Sequence, residues 1–451
     1  MPMPVPNNNH MPLLPALHGS QESVTLAPIW PENANHGFPR DNWSVSHQAS
    51  APAPQHMSQS PHGSELRTFP LQDVQEACLL KYYVEEIGHW LDLADEDRHF
   101  QLVVPVRARS QPHLLNSIFA VAARHLCRMP QYRTAQGIEY MGQLLPHLDK
   151  HSAVEYTLKC IPALRNFHEA HDDEYRDSII ATAVILRQLE EIDDEDDGSQ
   201  HPDRLSTLGP HSTSEQINFL PIIDSVLRSP PSQTLFGRRS LIRAAYWMAL
   251  RQEIYHSFTR RQAPQLILAS DYWPTASNAN KAVMHTVQVV RWLWGDGTEQ
   301  EWKRLVKQQD HVEQDVLESF RPIFRKQPDR TRGEIFPTVW YASNIEVTSN
   351  QQAMMAKSVL LAENPALKGQ SASRSSVRQA ESDVRALILE LCGAALCPPA
   401  SPPAILNAAF VIQMYGDFFT DPYERQALGV IVAKYRATNA WPSQKLTEMF
   451  G

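Results

Sequence analysis

The histidines and carboxylates at ligand-like spacings are where chemistry would first be sought in this chain. His168-Glu169-Ala170-His171 sets a glutamate beside the first of two histidines, as a zinc-protease helix does. That chemistry needs the histidines four apart on one helical face. Here they are three apart with no evident third ligand, so they read as solvated histidines at a helix end. The acidic run from Glu190 to Asp197 invites calcium: Asp193, Glu195 and Asp197 fall at positions 1, 3 and 5 of a binding loop, with Gly198 at its turn. The twelfth position requires a bidentate glutamate and holds Arg204, which repels the ion. The run therefore reads as a solvated, flexible acidic loop.

Other catalytic patterns are missing. There is no G-x-S-x-G elbow, no phosphate loop and no dinucleotide fingerprint. With 17 glycines in 451 residues there is little material for loops that cradle cofactors. One group of arginines (Arg107, Arg109, Arg124, Arg128) surrounds one helix, and Arg238, Arg239, Arg243, Arg251, Arg260 and Arg261 surround another. Neither group is interleaved with base-stacking aromatics, so both read as solvated or salt-bridged faces rather than phosphate contacts. Arg251 and Glu253 lie deep in an apolar helix, where a structural ion pair with other helices is expected. No catalytic, cofactor-binding or metal-binding residue is assigned, and an enzyme is not expected.

The elements that would position such groups are helical. In residues 238–258, Leu241, Ala244, Ala245, Met248 and Tyr255 share one stripe, and the two alanines permit close approach of a neighbour. Leu80, Val84, Ile87 and Leu91 mark an earlier helix. Leu114 to Leu126 mark another, with Pro112 in its first turn and Pro130 beyond its end. Val154, Leu158, Ile161 and Leu164 form a third, where Pro162 predicts a kink or a break. Ile179 to Leu186 begin a fourth that runs into the acidic segment. Later helices are expected at 284–294, 302–320, 339–361, 377–396, 405–419 and 423–435, the last opened by Asp421-Pro422 as cap and first turn. Alternating strand patterns are almost absent, and no Asn-Gly or Asp-Gly hairpin lies between β-branched runs. The expected fold is all-α, with helices stacked in antiparallel pairs.

Residues 1–70 hold twelve of the 34 prolines and only six charged side chains, a composition that cannot offset its ordering entropy and predicts a disordered tail. Residues 71–451 form the helical domain, interrupted over 192–236 by a polar insertion with one short helix near 222–227. The net charge of −9 argues against a phosphate-binding surface spread over the whole protein. No stretch approaches the roughly 18 apolar residues that span a bilayer. The opening MPMPVPNNNH has no signal-peptide pattern, so an intracellular chain is expected. The five cysteines are scattered and odd in number, which suits buried free thiols.

Three segments together resemble the regulatory domain of fungal-specific transcription factors. They are LLNSIFAVAARHL at 114–126, ATAVILRQLEE at 181–191 and AAYWMALRQEIYHSF at 244–258. The resemblance covers roughly 70–451 and implies an all-helical body that usually follows a binuclear zinc cluster. That cluster needs six cysteines in about thirty residues, and this chain has no cysteine before Cys78. The resemblance therefore implies a nuclear, pathway-specific transcriptional regulator, of a kind that controls biosynthetic gene clusters. Either it would reach DNA indirectly, through other transcription factors or the transcription machinery, or the DNA-binding portion is missing from this sequence; a small hydrophobic effector would lie between its helices at residues the sequence does not identify. A helical enzyme and a non-transcriptional scaffold are the alternatives.

Overall fold

The computed structural model describes residues 66–167, 172–193, 219–228, 241–266, 268, 273–369 and 373–450, within one compact unit. Residues 1–65 of the tail expected at 1–70, the His168–His171 pair, the acidic residues beyond Asp193, Arg204, Arg238 and Arg239 lie outside them.

Among the described residues the architecture is all-α. Three helices form its centre: Pro112–Arg128, Asp173–Asp193 and Leu241–Arg260. Each is buried along most of its length, polar side chains included, because neighbours cover it on most sides. In Leu241–Arg260 only Arg243, Arg251, Thr259 and Arg260 escape full burial. Ala244, Ala245 and Ala249 are buried, and so are Leu250 and Ile254. Burying each of those two larger side chains contributes about 1.5–3 kcal/mol.

The chain packs largely in sequence order. Val74–Tyr82 and Ser152–Arg165 lie against Pro112–Arg128; Asn278–Trp294 follows Leu241–Arg260; then Asn344–Ala362, Arg374–Ala395, Pro402–Tyr415, Pro422–Thr438 and Gln444–Phe450 each pack on a predecessor. Glu299–His311 is a surface helix that buries only Leu305 and Gln309. Side chains at the helix starts accept orphan backbone N–H groups: Asp73, Ser277, Thr298, Ser343, Ser373 and Asp421. The cap expected at Asp421 is thus present, and so is the short helix of the polar insertion, Leu220–Arg228.

Three expectations need correction. The chain does not break at Pro162; the helix runs on to Arg165, with the proline in its last turn. Val339 opens no helix: Thr338–Trp340 is a strand paired with Phe324–Lys326. A second small antiparallel sheet joins Arg133–Thr134, Gly137–Tyr140 and Gln143–Leu145. Its hairpin turns on Met141 (φ 52°) and Gly142 (φ 71°), a left-handed pair that an Asn-Gly search overlooks.

Candidate functional site

The arginines resolve first. Arg107 bonds Asp177 at 3.2 Å, while Arg124 and Arg128 both reach Asp193, at 3.1 and 3.2 Å. Asp193, expected to be a solvated loop residue, instead ends a helix under two guanidinium groups. Arg109 lies over the Phe69 ring. Glu253 forms the expected buried ion pair, with Arg187, and its second oxygen accepts the backbone N–H groups of Gln265 and Leu266. Arg251 makes no such pair. It donates to the carbonyls of Trp90 (2.7 Å) and Leu91 (3.2 Å), closing the end of the Gly88–Leu91 helical turn. All five cysteines are free thiols; Cys78, Cys160 and Cys392 are buried as expected, but Cys127 and Cys397 are only partly so.

Two cavities meet inside the body. The inner chamber, about 70 Å³, is lined by Glu191, Arg251, Gln252, Gln352, Asn407 and Trp441, among others. The Glu191 side chain is tied down there. Its Oε2 accepts from Gln188 Nε2 at 2.6 Å and from Trp441 Nε1 at 3.1 Å. Burial pulls the Arg251 guanidinium down to about 10, against the opposing pull of Glu191 and Asp92, so it stays charged at neutral pH. The hydroxyls are spent on backbone: Thr348 donates to Asn344 O and Ser349 to Ile345 O. Gln252 Oε1, Gln352 Oε1 and Trp90 Nε1 have no hydrogen-bond partner among the described residues. The chamber thus offers two acceptors and a donor, an arrangement suited to holding a small polar group.

The outer cleft, about 820 Å³, lies between the end of Leu241–Arg260, the Pro402–Tyr415 helix and the C-terminal segment that includes Gln444–Phe450. Its lining includes Phe258, Phe410, Met414 and Leu446, together with Arg261 and Lys445. That size falls within the range of small-molecule sites. Tyr255 and Phe410 are the two described residues that line both cavities.

No family model, curated protein or solved structure matches this chain.

A third cluster holds Asp95, Asp97 and His99, whose ligand-type atoms lie within 4.8 Å of one another. Asp95 Oδ2 already serves the His99 backbone N–H (2.8 Å) and its Nδ1 (2.7 Å), and Arg243 lines the same hollow. That geometry locks a turn. Sequence reasoning passed over this spacing, and it also missed Glu191, Phe410, Trp441 and Lys445 as cavity residues. One signal was present, in the run Arg251-Gln252-Glu253 between the apolar stretches of its helix. Nothing local to Trp441 signals its partner, which is 250 positions away.

Proposed function

We propose that this chain is a transcriptional regulator of the fungal type, whose helical body serves as a regulatory and protein-interaction module. It acts in the nucleus on a defined pathway, and it reaches DNA through other transcription factors or the transcription machinery. Support comes from the three helical segments that carry the resemblance, because all three are central to the fold. The second and third of them supply Arg187, Gln188, Glu191, Arg251, Gln252 and Tyr255 to the two cavities or to the bonds nearby. The observation that carries the reading is the amphiphilic cleft of about 820 Å³ at the end of the Leu241–Arg260 helix. A ligand-sized hollow lined mainly by apolar side chains, beside a chamber whose Glu191 and Arg251 are engaged in holding helices, suits effector binding better than turnover.

The test is transcript profiling after deletion of the gene, with a fluorescent tag reporting location. A coherent gene set is expected to change, and the tagged protein is expected in the nucleus. Exclusion from the nucleus under all conditions, or no coherent transcript change, overturns the proposal.

A further inference from the structure

We infer that the outer cleft binds a single-chain amphiphile with an acidic head, of the fatty-acid class. This rests on reading the body as an effector-binding module, and it names the effector's chemistry.

The floor of the cleft is apolar and adaptable. Phe258 and Phe410 stack with centroids 6.2 Å apart, and Ala409, Met414, Leu446 and Met449 complete it. Methionines fit irregular apolar bodies because their side chains are unbranched and polarizable. The rim carries Arg260, Arg261 and Lys445 against one carboxylate among the described lining residues, Glu448, which accepts from Gln444 Nε2 at 3.0 Å. Arg261 and Lys445 are exposed and form no ion pair among the described residues. A cationic mouth in a chain of net charge −9 runs against the global balance.

Two of the three cations have a local explanation. Arg260 and Arg261 follow the C-terminal end of a long helix, where the macrodipole favours positive charge. Lys445 has none: it sits in the first turn of Gln444–Phe450, where the same effect disfavours a cation. An anion held between Lys445 and Arg261 accounts for both. From Tyr255 to Arg260, where the helix ends, the rise is about 8 Å, so the tail lies over Phe410 and Met414 while the head meets the rim. A neutral amphiphile would leave the cations unused, and a cationic one would be repelled.

The test is calorimetric titration of the purified full chain with dodecanoate, dodecanol and dodecyltrimethylammonium, each below its micelle-forming concentration. Dodecanoate is expected to bind at least tenfold more tightly than the other two. The double variant Arg261→Glu, Lys445→Glu should lose that preference while melting as the parent does, since both side chains are exposed. Met414→Trp should block all binding by filling the floor. Equal affinity for the three compounds, absent binding of dodecanoate, or an unchanged preference in the charge-reversed variant overturns the inference. Transcript profiling is read separately, so a pathway response without dodecanoate binding leaves the regulatory proposal standing. Binding with no transcript change leaves only the ligand inference.

Discussion

Tyr255 and Phe410 pack edge to face with ring centroids 5.3 Å apart, and together they form the wall between chamber and cleft. Tyr255 is fixed from behind, since its hydroxyl donates to the Glu191 carbonyl at 2.9 Å. Phe410 has no such tether and is held by packing alone. Phe410→Ala is expected to merge the two cavities and cost about 3–5 kcal/mol, whereas Tyr255→Phe should cost only about 1 kcal/mol. Urea unfolding measures both. A loss below about 1 kcal/mol for Phe410→Ala would mean that the ring is not wedged in place.

The buried pair of Arg187 and Glu253 gives an asymmetric expectation. Removing Arg187 as Arg187→Met leaves a buried carboxylate and should cost about 3–5 kcal/mol. Replacing both residues by methionine should recover only part of that loss. The N–H groups of Gln265 and Leu266 would still lack the acceptor that Glu253 provides. Full recovery in a double-mutant cycle would show that those two bonds contribute little.

Acid should unfold this protein early. Burial lowers His113 and His285 to about 4, His125 to about 3 and His256 to about 2. The unfolded chain binds protons at these four sites below about pH 6.5, so their contribution is complete above that value and is lost as the pH falls. Each histidine removes roughly 1.4 kcal/mol per pH unit. Asp92 works in the opposite sense: burial raises its carboxyl to about 7, so its protonation offsets part of the loss. Against a typical stability of 5–15 kcal/mol, far-UV circular dichroism should report unfolding near pH ~5. A folded protein at pH ~4 would contradict the neutral state of these imidazoles.

How much of this was legible beforehand depended on the range of the interactions. The helices were readable because their signals are local: apolar spacing along 112–128 and 241–260, prolines at first turns, and Asp421 as a cap. Glu253 was recognisable as an ion-pair member because a carboxylate in an apolar helix needs a partner, although nothing local pointed to Arg187. Asp193 was misread because the neighbouring acidic residues imply solvation, while its guanidinium partners stand on a different helix. The Met141-Gly142 hairpin escaped because methionine is not a customary left-handed residue. The cleft could not be anticipated, because it is the space between segments that lie far apart in sequence, residues 255–261 and 409–449.

Gly393 tests close packing rather than chemistry. It lies in the Arg374–Ala395 helix, where alanine would normally gain about 1 kcal/mol over glycine. A Cβ there would stand 2.1 Å from the Pro337 carbonyl oxygen, a backbone atom beside the Thr338–Trp340 strand. Overpacking of that kind costs about 1–3 kcal/mol, and with backbone as the obstacle the clash outweighs propensity. Gly393→Ala is expected to lower the melting temperature by several degrees, and a rise would show that the strand yields.

The bond from Trp441 to Glu191 also sets a schedule for synthesis. Its partners are 250 residues apart, and chains grow at about 5–20 residues per second, so roughly 12–50 s separate their emergence. Throughout that interval the central helices can form and pair, but one carboxylate oxygen in their midst lacks the indole that later holds it. The nascent protein therefore passes that interval with the inner chamber unfinished, since Gln352, Asn407 and Phe410 also emerge after Glu191 and Trp441 is the last of its lining residues to appear. Chaperone dependence should track that window rather than the chain's length.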